Sequence, residues 1–335
     1  KHYEIKVGDF FTGNFDRLVL AMDDDGGAGG DSAFRNITLF EQTDLFINEM
    51  STATIESYGG ANQDFGTGIV SPDGKEVLLQ NNAWKKAAIN KTIDADTILT
   101  FDFKSNAEGE VHGIGFDPNN TLSSSTLFQL DGTQSYGLQS AAGQYTTGTG
   151  SRHYEIAVGD FFSGTFDRLV FAMDDDAGRG ADSTFSNIQF LDGTTVRLDS
   201  RLQEVKSYAP GTQDRGTATG SADRNTVILA DNAWKKLEVE TVIDGNTILS
   251  FDFKSDVEGE VHGIGFDNDD SLSPGNLFQI DGTQTFGLQT AASQYTTGSG
   301  FQHYEIDVGS SFCSFRHFTF YFRFSICFRK IRIQV

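Results

Sequence analysis

The sequence predicts an all-β protein made of tandem antiparallel β-sandwich modules, preceded by a partial module. Three observations predict this class. Apolar and polar residues alternate with a period of two, clusters of glycine, asparagine and aspartate separate the alternating runs, and long stretches of sequence recur later in the chain. No long amphipathic helical pattern is visible in the sequence.

The alternation is clear in several segments. In "ILTFDFKS", Leu99, Phe101 and Phe103 share one face of the predicted strand, and polar residues share the other. A repeat of this length has room for roughly eight strands, which favours a jelly-roll sandwich. In "HYEIAV" and "FDRLVFAM" the residues predicted to face the core are Tyr154, Ile156, Val158, Leu169, Phe171 and Met173.

The repeat defines the domain organisation. "NNAWKK" at Asn81 returns as "DNAWKK" at Asp231, and "FDFKSNAEGEVHGIGFD" returns with small changes at the same offset of 150 residues. A unit of this size buries its own core, which indicates duplicated domains rather than a solenoid. The predicted divisions are 1–41 (closing strands of a partial module), 42–56 (linker or strand), 57–192 (complete module), 193–206 (linker or strand) and 207–335 (second module, with an aberrant tail from residue 310).

The two ends of the chain suggest an alternative role. Residues 1–41 match only the last third of a unit, and from Ser310 onward the acidic closing strands are replaced by a basic, phenylalanine-rich tail. If the closing strands of one chain complete the last module of the next, the result is a head-to-tail filament. The competing interpretation is a truncated array whose tail reflects a shifted reading frame or a diverged copy.

Composition limits the partners. The formal net charge of −22 argues against nucleic acid and anionic membrane surfaces, and no run is apolar enough for membrane insertion as a helix. The two cysteines, Cys313 and Cys327, lie in the tail, so the modules need no disulfides. The acidity and the glycosylation triplets at Asn36, Asn90 and Asn119 favour an extracellular, secreted protein.

Two acidic, glycine-rich loops predict calcium sites. They read "AMDDDGGAGGDSAF" from Ala21 and "AMDDDAGRGADSTF" from Ala172. Neighbouring carboxylates repel by roughly 1 kcal/mol or more per pair, and a hard cation with about six to eight oxygen ligands removes that cost. A solvated acidic turn is the alternative. The predicted Ca²⁺ ligands are Asp23, Asp24, Asp25 and Asp31 in the first loop and Asp174, Asp175, Asp176 and Asp182 in the second.

A pair of glutamates raises the question of catalysis. On a strand, Glu108 and Glu110 project from one face about 6.5–7 Å apart, within the range used by glycosidases. The same pair stands in the second unit, and tandem duplication suits avidity better than catalysis. The sequence therefore predicts a protein that is not an enzyme. The adjacent histidines, His112 and His262, are predicted to be structural, each with a satisfied hydrogen bond.

Aromatic residues beside polar ones are the candidate sugar contacts. Each of the two tryptophans has two possible roles, either stacking its ring on a sugar or packing it in the core, and the sequence does not decide between them. The turns "GTQSYG" and "GTQTFG" hold an aromatic residue beside groups that hydrogen-bond hydroxyls, with a core-capping turn as the alternative. The predicted ligand-binding residues are Trp84, Gln134, Tyr136, Trp234, Gln284 and Phe286.

Together these motifs resemble a module that is repeated in secreted microbial proteins. "NNAWKK", "EGEVHGIGFD", "DGTQSYG" and "HYEIAVGDFFSGTFDRLVFAMDDDA" carry the resemblance over both units, up to Gly309. In that family the module accompanies polysaccharide-degrading enzymes and large adhesin-like chains. The resemblance implies a jelly-roll carbohydrate-binding-type module, in which the loop ending at Ser183–Ile188 is a calcium or binding loop and Tyr136 is a candidate contact. Phe286, which stands at the same position in the second unit, lacks the hydroxyl of Tyr136.

The resulting hypothesis is a non-catalytic extracellular protein, stabilised by calcium, that binds a polysaccharide or other glycan or acts in adhesion. Two weak sites on one chain gain avidity because the first contact raises the effective concentration of the second. The alternative is a self-assembling filament subunit, in which the N-terminal strands of one chain complete the C-terminal module of the next.

Overall fold

The structure, a computed structural model, describes residues 5, 7–23, 30–34, 37, 39, 43–48, 51–59, 63–176, 178, 180–208, 213–239 and 241–313. It divides into two compact units, Lys1–Leu191 (unit 1) and Asp192–Val335 (unit 2). Every strand pair within its sheets is antiparallel, which confirms the all-β prediction.

Helices in the described residues are short. Three are 3₁₀ turns and one is an α-helix: Val7–Asp9, Val158–Asp160, Pro274–Asn276 and α1 (Val308–Cys313). The α-helix starts two residues before the aberrant tail, and the Asp307 carboxylate accepts hydrogen bonds from the backbone and hydroxyl of Ser310. None of the helices in these residues has the length and hydropathy needed to cross a membrane.

Unit 1 is the predicted β-sandwich. Its strands are β1 (Leu45–Ile47), β2 (Ser51–Ala53), β3 (Ile55–Ser57), β4 (Thr67–Val70), β5 (Glu76–Gln80), β6 (Ala83–Ile93), β7 (Ile98–Lys104), β8 (Val111–Asp117), β9 (Leu127–Asp131), β10 (Arg152–Ile156), β11 (Gly164–Asp174) and β12 (Asp182–Leu191). One five-stranded sheet has the order β10-β7-β12-β5-β4, and the other has the order β3-β6-β11-β8-β9. Both sheets contribute side chains to one core.

The inward faces of unit 1 follow the predicted alternation. Leu99, Phe101 and Phe103 of β7 are fully buried, and so are the predicted inward residues of β10 and β11. Stacked and tilted rings fill the space between the sheets; Phe101 stacks on Tyr154 at 5.2 Å between ring centroids. Burying a phenylalanine contributes about 2–3 kcal/mol, so this aromatic layer contributes substantially to the stability of unit 1.

Unit 2 consists of paired strands. They are β13 (Thr195–Leu198), β14 (Arg201–Glu204), β15 (Lys206–Ser207), β16 (Thr217–Gly220), β17 (Val227–Ala230), β18 (Lys235–Lys236), β19 (Ile248–Phe253), β20 (His262–Gly265), β21 (Leu277–Asp281) and β22 (Gln302–Asp307). The pairs are β13-β14, β15-β18, β16-β17, β19-β22 and β20-β21.

The two segments predicted as linker or strand contain strands. In the first, β3 pairs with β6, and Leu45 and Ile47 of β1 lie in the core of unit 1. In the second, β13 and β14 form a hairpin.

Over its described residues, unit 2 repeats the strand pairs of unit 1, and the strand that joins two pairs in each sheet of unit 1 has no described counterpart. The pairs β15-β18 and β20-β21 correspond to β3-β6 and β8-β9, which β11 joins in unit 1. The pairs β22-β19 and β17-β16 correspond to β10-β7 and β5-β4, which β12 joins. Leu79 in the core of unit 1 is 0% exposed, whereas its counterpart Leu229 in unit 2 is 49% exposed. Residues 314–335 of the predicted tail lie outside the described residues.

The N-terminal segment does not form the closing strands that the sequence predicts, as far as it is described. Residues 10–23 and 30–34 contain no strand, and their apolar side chains are exposed, with Val19 at 78% and Phe10 at 75%. A strand in water needs a paired neighbour and an apolar surface to cover, and none of the described strands of unit 1 pairs with these residues.

Candidate functional site

The outer face of the sheet β3-β6-β11-β8-β9 carries a second apolar cluster. Val170 and Ala172 alternate along β11 with residues that face the core, so they project from the opposite side of the sheet. Three rings cover this side, and we call them the aromatic face: Tyr58, Trp84 and Tyr136.

Trp84 lies inside this cluster and is 2% exposed. Its ring meets Tyr136 edge-on at 5.8 Å, and its Nε1 donates a hydrogen bond to Asp174 Oδ1 at 3.2 Å. Of the two roles that the sequence left open, the structure therefore gives Trp84 the packing role. The expectation of a stacking surface at this residue is corrected, because its ring is covered by its neighbours.

A buried ion pair positions Trp84. Lys85 Nζ lies 2.8 Å from Asp64 Oδ2, and Asp64 Oδ1 accepts a hydrogen bond from the Trp84 backbone at 3.2 Å. The same pair recurs in unit 2, between Lys235 and Asp214 at 2.6 Å. Burial raises the pKa of Asp214, but hydrogen bonds, chiefly from Lys235, outweigh it and lower that pKa to about 2. The recurrence of "QD" and "WKK" in both units was the available sequence signal for this pair.

Tyr136 sits in a turn that Gln129 holds. Gln129 Oε1 accepts a hydrogen bond from the Tyr136 backbone at 2.7 Å, and its Nε2 donates to the Gln134 carbonyl at 2.5 Å. Gln279 holds Phe286 in the same way. Tyr136 is half-buried, and this burial raises the pKa of its phenol. The turn therefore presents a fixed, partly exposed ring.

Three carboxylates gather beside the aromatic face, and we call them the acidic rim: Glu110, Asp174 and Asp176. One oxygen of each lies within 4.8 Å of the others. Glu110 also accepts hydrogen bonds from the Asp176 backbone at 2.9 Å and from Gln134 Nε2 at 2.8 Å. Burial, and then the charges of Asp176 and Glu110, raise the pKa of Asp174.

Asn82 borders the acidic rim. Its Nδ2 donates a hydrogen bond to Asp176 Oδ1 at 2.6 Å, and its Oδ1 is buried without a hydrogen-bond partner among the described residues. Leaving a buried amide oxygen unpaired costs about 1–3 kcal/mol, so a proton donor or a cation beside this oxygen would be stabilising.

The predicted ligand set is only partly brought together. Asp175 Oδ2 accepts hydrogen bonds from two backbone N–H groups of its own loop, and Asp182 Oδ1 accepts two from the backbone before β8. These two carboxylates fix the loop and do not join the rim. In the first loop, Asp23 and Asp31 are exposed, and Asp24 and Asp25 lie outside the described residues. Sequence reasoning missed Glu110 as a rim residue.

The glutamate pair does not lie on a strand. Glu108 and Glu110 precede β8 in an irregular segment, so the strand spacing expected for a catalytic pair is wrong. His112 is structural, as predicted: its Nε2 accepts a hydrogen bond from the Gly109 backbone at 2.7 Å, and its Nδ1 lies 2.6 Å from Ser183 Oγ. Burial lowers the pKa of His112 to about 4, so the ring is neutral near pH 7. His262 makes the matching bond in unit 2.

Unit 2 repeats the aromatic arrangement in a more open form. Trp234 is half-buried, with Phe286 edge-on at 6.0 Å and Tyr208 stacked at 6.4 Å. Tyr208 donates a hydrogen bond to Asp267 at 2.9 Å, and burial together with this bond raises its pKa to about 12. Gln284 is exposed beside these rings.

A polar cluster on the other sheet was not anticipated. On the outer face of β10-β7-β12-β5-β4, Asp102 lies 2.7 Å from His153 Nδ1 and accepts a hydrogen bond from Asn187 Nδ2 at 2.7 Å. His303 and Asp252 repeat the first contact in unit 2. The cluster ties three neighbouring strands together, and the recurrence of "HYE" was its sequence signal.

No family model and no curated protein matches the chain. Among solved structures, the chain is similar to a variant of a family 29 carbohydrate-binding module complexed with cellulohexaose, at 15% identity over 44% of this chain and 88% of that one, with a TM-score of 0.26. It is also similar to a family 30 carbohydrate-binding module, at 17% identity over 46% and 96%, with a TM-score of 0.26.

Proposed function

We propose that the protein acts outside the cell as a non-catalytic polysaccharide-binding protein. The observation that carries this proposal is the Tyr136 ring, which is half-exposed, fixed by Gln129 and backed edge-on by Trp84. A ring held in this way is already ordered before a ligand arrives, so binding costs little conformational entropy.

The surroundings of Tyr136 fit a sugar. A pyranose offers C–H groups on its faces and hydroxyls at its edges, which an aromatic ring and nearby polar groups match respectively. Gln134 is exposed beside the ring, and Glu110 lies within hydrogen-bond distance of Gln134. Phe286 and Gln284 repeat the arrangement in unit 2, so a long polysaccharide has two places to bind.

Affinity electrophoresis of the full chain on a panel of polysaccharides tests this function. The chain is expected to be retarded on one or more of them, and Tyr136→Ala is expected to weaken the retardation several-fold. Phe301→Ala, which removes an exposed ring outside the site, is the matched control. Equal retardation of Tyr136→Ala and wild type would place binding elsewhere, and no retardation on any polysaccharide would end the proposal.

We also propose that calcium stabilises unit 1 at the acidic rim. Glu110, Asp174 and Asp176 would hold the ion, and the Asn82 amide oxygen would be a further ligand. All four donors are oxygens, which is the ligand type that calcium prefers. The ion supplies positive charge that offsets the mutual repulsion of the carboxylates.

A second function, self-assembly by strand donation, is favoured by a separate observation. No described strand pairs with both β18 and β20, whereas β11 pairs with both of their counterparts, β6 and β8, in unit 1. Residues 13–23 have the sequence of β11 except at two positions, where Asn14 stands for Thr165 and Leu20 for Phe171. These residues form no strand and are exposed, so one chain holds both an apolar strand sequence and two strands, β18 and β20, that have no described partner on one side.

Strand donation predicts open, head-to-tail polymers. Negative-stain microscopy and concentration-dependent sedimentation of the full chain are expected to show them. Deleting residues 1–41 removes the donor and is expected to leave monomers. Assembly that survives this deletion would exclude strand donation.

A further inference from the structure

We propose that the sugar site of unit 1 extends from Tyr136 to Phe65, so that it takes an internal segment of a neutral polysaccharide chain. Phe65 is then a second aromatic contact, and it is not among the residues predicted from the sequence. This inference rests on the proposed polysaccharide binding, because it names a further ring of the same site.

Phe65 presents an exposed ring from a fixed backbone. The residue is 40% exposed, whereas Asp64 and Gly66 on either side of it are buried. A Cβ on Gly66 would clash with the Gln80 carbonyl, so this segment lies tightly against the turn between β5 and β6. The Phe65 N–H also donates a hydrogen bond to the Asn82 carbonyl at 2.8 Å. The backbone is therefore ordered before a ligand arrives, which lowers the entropic cost of binding.

A continuous path of hydrogen bonds leads from the turn of Tyr136 to the backbone of the second ring. Gln134 Nε2 donates to Glu110 Oε1 at 2.8 Å, and the Asp176 N–H donates to Glu110 Oε2 at 2.9 Å. Asn82 Nδ2 then donates to Asp176 Oδ1 at 2.6 Å. We call these four linked residues the polar strip: Gln134, Glu110, Asp176 and Asn82. An aromatic ring thus stands at each end of one row of polar groups.

The polar strip and both rings lie at one end of the sandwich. Phe65 precedes β4, Asn82 lies between β5 and β6, Glu110 precedes β8, Gln134 follows β9 and Asp176 follows β11. The start of β4 pairs with the end of β5, and the end of β11 pairs with the starts of β6 and β8, so these loops meet. Loops gathered at one end of a sandwich form a common surface. A polymer laid across this end has both rings within its path.

The chemistry of the polar strip suits a neutral sugar chain. Each ring offers an apolar surface to the C–H face of a pyranose, and exposed Asp176 and Gln134 offer hydrogen-bonding groups to its hydroxyls. The charged groups along the strip, Glu110, Asp176 and the adjacent Asp174, are all acidic. A uronic-acid polymer would bring like charges beside them. One calcium ion among three ionised carboxylates leaves the charge negative, so this preference holds with the ion bound.

Unit 2 keeps the backbone of this segment and changes its side chain. The Arg215 N–H donates to the Asn232 carbonyl at 2.8 Å, as Phe65 does to Asn82. Arg215 is exposed, and it replaces the aromatic residue of unit 1. The Asn232 side chain donates to the Gln213 carbonyl at 3.0 Å, whereas that of Asn82 joins the polar strip. The extended site is therefore a property of unit 1.

The test is affinity electrophoresis of full-length chains in calcium chloride. The neutral polymers are xylan, glucomannan and hydroxyethyl cellulose, and the acidic polymer is polygalacturonate. Phe65→Ala removes the ring, Phe65→Leu keeps apolar volume without a ring, and Phe65→Trp keeps a ring. Isothermal titration with two-unit and six-unit oligosaccharides of the polymer that retards wild type most measures how far the site extends, and thermal melts check folding.

Phe46→Ala is the matched control. Phe46 is also 40% exposed, and its N–H also donates to a carbonyl at 2.8 Å, that of Gly74. Gly74 precedes β5 whereas Asn82 follows it, so this ring is anchored at the opposite end of the same strand. The control therefore removes an equally exposed phenylalanine without touching the polar strip.

Phe65→Ala and Phe65→Leu are expected to weaken retardation on a neutral polymer about three- to tenfold. Phe65→Trp and Phe46→Ala are expected to match wild type, and each variant is expected to keep a Tm close to that of wild type. Phe65→Ala is expected to lower the affinity for the six-unit oligosaccharide and to leave that for the two-unit one unchanged. Polygalacturonate is expected to retard wild type less than the neutral polymers.

Several results would overturn the extended site. If Tyr136→Ala weakens binding and Phe65→Ala does not, the extension is wrong while the proposed function stands. An equal loss in Phe65→Ala and Phe46→Ala, or stronger retardation on polygalacturonate than on every neutral polymer, also contradicts it. If no polymer retards wild type, polysaccharide binding is wrong and the extension falls with it.

Discussion

Lys85 and Asp64 form an ion pair of 2.8 Å in which both side chains are 1% exposed. The pair joins the segment before β4 to β6, and the same Asp64 carboxylate binds the backbone of Trp84. A charge buried this deeply is tolerated only with its partner in place. The pair therefore ties the position of the aromatic face to one electrostatic contact.

Breaking this pair from one side is expected to be costly. Lys85→Met leaves Asp64 charged and unpaired, and the free energy of unfolding of unit 1 is expected to fall by about 3–5 kcal/mol in urea denaturation. Lys85→Met combined with Asp64→Asn is expected to recover most of the loss. The matched control is Lys235→Met, where Lys235 is 16% exposed and the loss is smaller. A cost below about 1 kcal/mol for Lys85→Met would contradict this account.

The stability of unit 1 is expected to fall in mild acid because of His112. Its pKa is lowered from 6.5 to about 4 by burial, so below pH 6.5 the unfolded chain takes up a proton that the folded unit refuses. The free energy of unfolding therefore decreases as pH falls from 6.5 to about 4, by roughly 3 kcal/mol in total. Comparing urea unfolding of wild type and His112→Gln at pH 7 and 4.5 isolates this effect, with His262→Gln as control. An identical pH dependence in wild type and His112→Gln would show that this histidine does not cause the loss.

Removing one carboxylate of the acidic rim is expected to have opposite effects with and without calcium. The raised pKa of Asp174 means that its ionisation opposes folding as pH rises through that pKa, so Asp174→Asn is expected to raise the Tm in EDTA. Calcium is expected to raise the Tm of wild type, because an ion that binds only the folded state stabilises it by about 2.7 kcal/mol at 100 times Kd. Asp174→Asn is expected to lose this gain. Asp31→Asn, at an exposed predicted ligand, is the control, and an unchanged wild-type melt in EDTA and calcium would exclude the site.

A single methyl group in the "GIG" motif is expected to disrupt the edge of the sheet. A Cβ on Gly115 meets the Thr126 carbonyl at 2.3 Å and the Leu127 Cα at 2.6 Å, both of them backbone atoms that cannot turn away. Gly115→Ala is therefore expected to cost about 1–3 kcal/mol or more in the free energy of unfolding. Gly245→Ala, which meets no atom within 4 Å, is the control. A neutral Gly115→Ala would mean that β8 and β9 separate more easily than the structure indicates.

The strands and their faces were predictable because alternation is local. The side chains of β7 that alternate in sequence are those that pack in the core, and the Gln129 turn carries its own motif in both units. What covers the outer face was not predictable, since Trp84 is enclosed by Tyr58 and Tyr136, which come from distant loops.

The acidic rim was also predictable only in part. The consecutive aspartates were visible in the sequence, but their separation into two roles depends on tertiary contacts. Asp175 and Asp182 accept hydrogen bonds from the backbone, whereas Glu110 enters the rim because its backbone N–H binds the Asp174 carbonyl at 2.7 Å. The spacing of residues along the chain does not predict this hydrogen bond between Glu110 and Asp174.

Strands β8 and β20 have matching sequences but different numbers of described neighbours, so the chain contains an internal comparison. The backbone of β8 lies between β9 and β11, whereas β20 has β21 on one side and no described strand on the other. The segment "HGIG" occurs in both strands. Hydrogen exchange at these matching amides therefore compares local opening with and without a middle neighbour. The difference in protection measures how much one central strand contributes to the cooperativity of a sandwich.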